Sequence, residues 1–164
     1  MENFDWTSYT KRIAIKSDLP TVYDAWTKAN ELERWFLKKV EFQKADNSLF
    51  ERDGNVTENI RYTWYWYLYK EPMKGAITKV NGKDFIQFTF EGNCLVDVNL
   101  EEMDGYVMVT LRHHNIPLDD RSKQYVRLGC TNGWTFYLTN LKSILEGGLD
   151  LRNKNEKFPP LINN

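Results

Sequence analysis

The stretch that decides the fold runs from Ser122 to Glu146 and reads SKQYVRLGCTNGWTFYLTNLKSILE. On a helical wheel, at about 100° per residue, its apolar residues fall in one arc, which is typical of a helix lying on an apolar surface. The arc contains Val126, Cys130, Trp134, Tyr137, Leu138, Leu141, Ile144 and Leu145. A helix of this length spans about 37 Å, the width of a small domain. We therefore expect the rest of the chain to form the surface beneath it.

Both ends of this helix are marked in the sequence. Asp119, Asp120 and Ser122 are candidate N-caps, and Gly147-Gly148 follows Glu146 as a terminator. Gly129 and Gly133 lie four residues apart on the flank of the apolar arc, where each costs about 1 kcal/mol relative to Ala. Their spacing predicts a bend in the helix or a close approach of its backbone to a neighbour.

Composition limits the class of protein. A chain of 164 residues, 41% hydrophobic and 27% charged, fits one globular domain covering residues 1–164. The net charge of −1 argues against nucleic-acid binding, and no apolar run is long enough for a membrane span. The segment Met1 to Trp6 has no basic stretch followed by an apolar run, which predicts a cytoplasmic protein. Cys94 and Cys130 are expected to be buried apolar residues.

Upstream of the helix the pattern changes to strands. Residues 9–16 alternate between apolar and polar and predict a first strand, and two short helices follow from Pro20 and over residues 30–36. Further strands are predicted over residues 38–44, 60–69, 76–80, 84–91, 94–103 and 106–114. Asn81-Gly82 and Asp104-Gly105 are typical of hairpin turns, so an antiparallel meander is the simplest topology. The polar tail from about residue 150 is expected to pack loosely.

Four segments resemble the START-like, birch-pollen-allergen-like (SRPBCC) superfamily, and within it the family of the activator of heat-shock protein 90 ATPase. They are IAIKSDLPTVYDAW at 13–26, LERWF at 32–36, FIQFTF at 85–90, and Gly133-Trp134 with the leucines that follow. One residue departs from the family pattern, because Phe90 stands where a Trp is usual. The resemblance implies an α+β helix-grip fold, in which a curved antiparallel sheet of six or seven strands wraps around the long C-terminal helix, with two short helices after the first strand.

The resemblance also implies a cavity between sheet and helix, but fold alone does not decide what the cavity does. The first hypothesis is a small non-enzymatic domain that binds an apolar or aromatic small molecule there. The second is a co-chaperone-like interaction domain, with a chaperone partner implied by the family resemblance only. The third is a cyclase or hydrolase that uses the same cavity. We rank an enzyme last, and we predict no cofactor.

The candidate ligand-binding residues are the core-facing residues of three strands and their counterparts on the helix. They are Tyr62, Trp64, Trp66, Phe88, Phe90, Val109, Leu111, His113, Gly133, Trp134 and Tyr137. Flat rings with polar edges would orient a flat or lipid-like molecule. The alternative is that the same rings fill the core and leave no cavity.

His113 and His114 are the only histidines, and their position limits what they can do. Neighbouring strand residues point to opposite faces, so the two cannot share a metal ion, and no other ligand stands at suitable spacing. No Ser, Cys or Asp pattern identifies a nucleophile that His113 could activate. The sequence therefore predicts no catalytic residue and no metal site.

The predicted strand over residues 60–69 is rich in aromatic residues, and we call it the aromatic strand. Its other face carries Tyr65, Tyr67 and Tyr69. Three neighbouring rings are too much apolar surface to leave in water without a cover. They are predicted either to form a homodimer contact or to be covered by the chain's own segments around Phe4-Asp-Trp6 or Phe158. Phe136, opposite the apolar arc, would also fit a partner surface.

Overall fold

Seven antiparallel strands form one sheet in the computed structural model, which describes residues 4–164. The strands are β1 (Tyr9–Ile15), β2 (Lys39–Gln43), β3 (Arg61–Tyr65), β4 (Met73–Val80), β5 (Phe85–Phe90), β6 (Cys94–Met103) and β7 (Tyr106–His114). Their order in the sheet is β1-β7-β6-β5-β4-β3-β2, so β2 to β7 are a meander and β1 pairs with β7. This confirms the predicted topology. Residues 1–3, which begin the segment Met1 to Trp6 discussed above, lie outside the described residues.

Two short helices and one long helical region accompany the sheet. They are α1 (Leu19–Thr27), α2 (Ala29–Trp35), a π-helical segment (Ser122–Cys130) and α3 (Thr131–Leu145). The Asp18 side chain caps α1 by accepting a hydrogen bond of 2.8 Å from the Thr21 N–H. In residues 4–164, no helix combines the length and the apolarity needed to cross a bilayer.

The predicted long helix has the expected ends but not one regular geometry. Its first nine residues are π-helical and only the rest is α-helical. A wider turn is tolerated here because Gly129, inside the π-helical segment, is a weak α-helix former. The apolar arc still faces inward, with Trp134, Leu138 and Leu141 buried.

The alternation predicted for the last three strands is confirmed by burial. The residues on the inner face are Ile86, Phe88, Phe90, Val96, Val98, Leu100, Val107, Val109, Leu111 and His113, and all are buried. Buried and more exposed residues alternate along these strands because one face of the sheet is covered by the helices and the other meets solvent.

The aromatic strand is shorter than predicted. β3 ends at Tyr65, and residues 66–72 form a loop instead of extending the strand to Tyr69. Leu68 has a φ of 67°, a left-handed conformation that cannot continue a strand. The Trp66 ring still faces the helices and meets the Phe36 ring edge to face at 5.4 Å. Tertiary packing on Phe36 therefore overrides the strand propensity of this run.

A close approach of a glycine to another element occurs in the sheet and not in the long helix. A Cβ on Gly75 would overlap the Tyr62 ring and Thr89 Oγ1, at 2.4–2.5 Å. A Cβ on Gly133 would have no atom within 4 Å, and one on Gly129 would meet only the Gln124 carbonyl oxygen, at 3.6 Å. The predicted close approach at Gly129 and Gly133 is therefore wrong, because both glycines border open space.

The C-terminal tail is anchored at both ends. Arg152 is buried, and its guanidinium donates to the backbone carbonyls of Glu33, Arg34 and Leu37 at 2.8–3.0 Å. Asn164 is also buried, and its carbonyl accepts a hydrogen bond from the Tyr137 hydroxyl. The loose packing expected from polar composition describes the exposed residues 154–162 but not these anchors, which bind through hydrogen bonds.

Candidate functional site

An open cleft of about 1490 Å³ lies beside the long helical region. Its walls come from the π-helical segment and α3, from the loop after β3, from the end of β5 and from the C-terminal tail. Segments distant in sequence therefore meet here, which is typical of ligand sites.

Five aromatic rings form the floor of the cleft, which we call the aromatic floor: Phe36, Trp66, Phe90, Trp134 and Tyr137. Trp134 lies between Phe90 and Phe36, with ring centroids at 5.0 and 5.2 Å. Tyr137 meets Phe36 edge to face at 4.8 Å. Such arrangements are the favoured ones for aromatic groups, so the rings fix one another in place.

The five floor rings come from four parts of the chain. Phe36 ends α2, where its N–H donates to the Leu32 carbonyl at 2.9 Å. Phe90 is the last residue of β5, and Trp134 and Tyr137 stand three residues apart on one face of α3. The floor therefore exists only in the folded chain.

Three tryptophans of the core and the aromatic floor have an indole N–H group that is not hydrogen-bonded within the described part of the chain. The indole N–H groups of Trp26, Trp64 and Trp134 are buried, and none has a hydrogen-bond partner among the residues described. Buried donors normally find a partner. Of the three residues, Trp134 borders the cleft.

The rim of the cleft carries charge and exposed apolar side chains. Glu71, Glu91 and Asp119 contribute carboxylates, and Arg121 contributes a guanidinium. Burial raises the pKa of the Glu91 carboxyl above its ordinary value, and the nearby Arg121 lowers it by less. Hydrogen bonds from Ser122 lower the pKa of Asp119.

The tail forms the last wall. Leu161, Ile162 and Asn164 border the cleft, and the Leu161 N–H donates to the Asn164 side chain at 2.9 Å. Ile162 is 89% exposed, so an apolar side chain stands at the mouth of the cleft without cover. Tyr125, on the π-helical segment, is exposed at the mouth in the same way.

The structure brings five of the predicted site residues together in the cleft: Trp66, Phe90, Gly133, Trp134 and Tyr137. The other six are buried but do not line it: Tyr62, Trp64, Phe88, Val109, Leu111 and His113. Tyr62 stacks on Trp64 at 3.8 Å, and the Tyr62 hydroxyl donates to the Thr89 carbonyl at 2.6 Å. Both alternatives considered above therefore apply, with a filled core below and an open cleft beside it.

Sequence reasoning missed several cleft residues. Phe36 was placed only in the second short helix, and the tail residues Leu161 and Ile162 were not among the candidate ligand-binding residues. Their signal was the apolar run from Phe158 to Ile162 in an otherwise polar tail. Phe136, predicted to face a partner, is half-buried against Tyr137 and borders the cleft.

The polar groups of the cleft do not form a recognisable catalytic arrangement. Burial, with Glu91 and Cys94 nearby, raises the pKa of the Cys130 thiol to about 12, so it is a poor nucleophile. His113 lies in the core, where its Nδ1 shares a hydrogen bond of 3.0 Å with the Tyr9 hydroxyl. Within residues 4–164 no group of three potential metal ligands occurs.

The three outward tyrosines have different surroundings. The Tyr65 hydroxyl donates to Glu41 at 3.3 Å, and the Lys39 ammonium lies over its ring. Lys38, Arg152 and Lys154 surround the Tyr67 ring at 5.7–5.9 Å, so the tail covers it. Tyr69 is 56% exposed and borders the cleft. The Phe4–Trp6 segment packs elsewhere, against Lys123 and Arg127.

A curved seven-stranded antiparallel sheet around a long C-terminal helix defines a helix-grip protein of the START-like class. Within that class, the chain belongs to the family described as Activator of Hsp90 ATPase homolog 1-like protein, whose family model matches residues 17–146. A comparison with curated proteins finds no significant match.

Solved structures share this fold at low sequence identity. The protein SSP2350 from Staphylococcus saprophyticus is 19% identical, with a TM-score of 0.69 over 88% of this chain and 96% of its own. The Aha1 dimer from Colwellia psychrerythraea is 18% identical, with a TM-score of 0.66 over 86% and 97%. PFC0360w, an HSP90 activator from Plasmodium falciparum, is 20% identical, with a TM-score of 0.61 over 85% and 96%. These likenesses show the fold alone.

Proposed function

We propose that this protein is a non-enzymatic binding domain that holds an apolar or aromatic small molecule in the cleft beside α3. The observation that carries the proposal is an open cleft of about 1490 Å³ over a floor of five aromatic rings. Ligand sites are concave and lined mainly by apolar and aromatic side chains, and the aromatic floor supplies such a surface here, beside the charged residues Glu71, Glu91, Asp119 and Arg121.

The packing around the floor supports a preformed site. Phe36, Phe90 and Trp134 are at most 7% exposed, and their neighbouring rings fix their orientation. A ligand would therefore meet a rigid apolar surface and would not have to order it, which reduces the entropic cost of binding. The exposed Ile162 and Tyr69 at the mouth would lose contact with water when the cleft is occupied.

Gly133 offers a direct test, because it borders the cleft and a Cβ added there would have no atom within 4 Å. We expect a neutral apolar dye such as Nile red to bind the wild type at one per chain and to change tryptophan fluorescence. Gly133→Leu should abolish dye binding. It should also leave the free energy of unfolding unchanged or raise it by about 1 kcal/mol, because Gly is a poor helix former.

Gly133→Ala is the matched control. It gives a similar gain in helix propensity but adds only a methyl group, so dye binding should persist within about fourfold, since one methyl changes apolar binding by about 0.8 kcal/mol or less. Failure of the wild type to bind dye, or unchanged binding by Gly133→Leu, would contradict the proposal.

A co-chaperone function is the second candidate. It is favoured by the family match over residues 17–146 and by two structural neighbours named as an Aha1 dimer and an HSP90 activator. The test is the ATPase rate of purified Hsp90 with increasing amounts of this protein. Stimulation that a specific Hsp90 inhibitor removes would support this candidate, and an unchanged rate would reject it.

Three further predictions accompany these candidates. They are a homodimer through Tyr65, Tyr67 and Tyr69, a cytoplasmic location, and, as the last-ranked alternative, cyclase or hydrolase chemistry in the cleft. An enzyme would need polar groups that converge on a bound substrate, and the carboxylates of this cleft stand on its rim.

A further inference from the structure

We propose that residues 155–164 form a strap that closes over an occupied cleft, with Arg152 as its fixed point and Ile162 as the side chain that covers the ligand. The strap belongs to the tail that forms the last wall of the cleft. This inference rests on the proposed binding function and adds a moving part to it.

Exposed apolar side chains stand at the mouth of the cleft, while most rings of its floor are already buried. Phe36, Phe90 and Trp134 are at most 7% exposed, because the floor rings bury one another. Ile162 is 89% exposed and Leu161 is 42% exposed, and both border the cleft. An apolar ligand therefore gains more when these two side chains move onto it than from the floor alone, because burial of apolar area drives binding.

The strap is firmly held at one side only. Arg152, just before it, is buried and donates hydrogen bonds to three backbone carbonyls outside the tail. Within the described part of the chain, the strap itself is joined to the domain outside the tail by an ion pair and a hydrogen bond. The ion pair is between Glu156 and Lys38, whose side chains are exposed, so it contributes little stability. The hydrogen bond runs from the Tyr137 hydroxyl to the Asn164 carbonyl. A segment with so few buried contacts moves at a low cost in free energy.

Tyr137 couples the floor of the cleft to the strap. Its ring is part of the aromatic floor and meets the Phe36 ring at 4.8 Å, while its hydroxyl holds Asn164. The Leu161 N–H donates to the Asn164 side chain at 2.9 Å, so the turn that carries Ile162 is tied to the same anchor. A ligand on the floor would touch the residue that positions the strap, which links occupancy of the cleft and strap position in both directions.

The exposure of Ile162 sets the direction of the movement. In the free protein this side chain is surrounded by water. Over an occupied cleft it would lie on the apolar ligand, so the ligand binds the closed arrangement more tightly than the open one and shifts the population towards it. Movement of the strap away from the cleft would instead break the Tyr137 hydrogen bond and gain no apolar contact.

Hydrogen–deuterium exchange, measured by mass spectrometry with and without saturating Nile red, tests the closure. We expect the dye to slow exchange of the backbone amides over residues 155–164 by about threefold or more, because a closed strap opens less often.

Ile162→Ser removes the side chain that would cover the ligand. It should weaken Nile red binding by about fivefold or more, because the apolar area that Ile162 buries on closure is lost. It should also remove most of the protection that the dye gives to residues 155–164. Fluorescence titration and hydrogen–deuterium exchange measure the two effects.

Leu149→Ser is the matched control, because it makes the same change at a side chain that is 79% exposed and lies outside the cleft. It should leave dye affinity and strap exchange unchanged. Unchanged or faster exchange of the wild-type strap on dye binding, or equal dye affinities of Ile162→Ser and the wild type, overturns this inference, while dye binding itself still supports the proposed function. Absence of dye binding overturns both.

Discussion

At the scale of single residues, His113 is the group whose titration should affect folding. It is fully buried, its Nδ1 is hydrogen-bonded to Tyr9, and its Nε2 has no partner within the described part of the chain. Burial first, and the neighbouring His114 second, lower its pKa to about 4. At neutral pH the imidazole is therefore uncharged, as its apolar surroundings require.

This shift predicts a loss of stability in mild acid. Between pH 4 and the ordinary histidine pKa of about 6.5, the unfolded chain binds a proton that the folded chain does not bind. The free energy of unfolding should therefore be highest above about pH 6.5 and should fall by up to about 3 kcal/mol on going to pH 4. Urea denaturation at a series of pH values measures this fall in the free energy of unfolding.

His113→Gln should flatten this dependence, since glutamine does not titrate, whatever it does to stability at pH 7. His114→Gln is the control and should retain most of the slope, because burial is the larger cause of the shift. Equal slopes for wild type and His113→Gln between pH 6.5 and 4 would contradict the prediction, because they would mean that the pKa of His113 is the same in the folded and the unfolded chain.

At the scale of elements, the C-terminal tail is held in place by Arg152, which pairs with Asp150 and donates hydrogen bonds to backbone carbonyls of another segment. The Arg152 guanidinium binds both carboxylate oxygens of Asp150, at 2.7 and 2.9 Å, and the last carbonyls of the α2 region. Burial opposes ionisation of Asp150, but hydrogen bonds from Arg152 and Lys154 outweigh it and lower its pKa. Arginine thus fills the role of a C-terminal helix cap supplied from a distant segment.

We expect Arg152→Met to lower the free energy of unfolding by about 3–5 kcal/mol, because it leaves a carboxylate and several carbonyls unpaired. Nile red binding should weaken too, since Leu161 and Ile162 form a wall of the cleft. Chemical denaturation and dye titration measure the two effects.

Lys154→Met is the matched control for the tail. Lys154 pairs with the same carboxylate at 2.8 Å, but its side chain is 49% exposed. Lys154→Met should lower the free energy of unfolding by less than about 1 kcal/mol, because surface ion pairs contribute little to stability. A loss for Arg152→Met as small as for Lys154→Met would mean that the tail is not anchored by this contact.

At the scale of the whole molecule, the homodimer prediction concerns the outer face near β3. We expect sedimentation velocity to show a dimer at high protein concentration, and Tyr65→Glu with Tyr67→Glu to give a soluble monomer, because a buried carboxylate without a partner is costly. Tyr106→Glu, an exposed position on β7, is the control and should leave the dimer intact. A wild-type monomer at high concentration would reject the prediction.

The structure limits which of the three tyrosines could contact a second subunit. Tyr65 and Tyr67 are engaged by charged side chains of their own chain, and only Tyr69 is widely exposed. A two-fold contact centred on Tyr69 would lie next to the cleft. Dimer formation and dye binding should then influence each other, which the same sedimentation experiment with dye can detect.

The sequence alone determined the order and topology of the elements and the residues of the core. Alternation in β5, β6 and β7 and the apolar arc of the long helix are local patterns, imposed by the geometry of strands and helices on any chain that buries one face. The same patterns predicted burial of His113 and Trp134, which is confirmed. The helix-grip family was predicted from the resemblance of four segments, and the family model confirms it. Each of these features depends on neighbours within a few residues in the sequence.

Only the tertiary structure decided where space remains. Phe36, Phe90 and Tyr137 come from three distant segments, and whether their rings meet tightly or leave a cleft depends on how elements pack. The end of β3 at Tyr65, the open surroundings of Gly133 and the anchoring of Arg152 have the same origin. Periodicity reports which face of an element is buried, but cavity volume and long-range hydrogen bonds arise from three-dimensional contacts that periodicity does not encode.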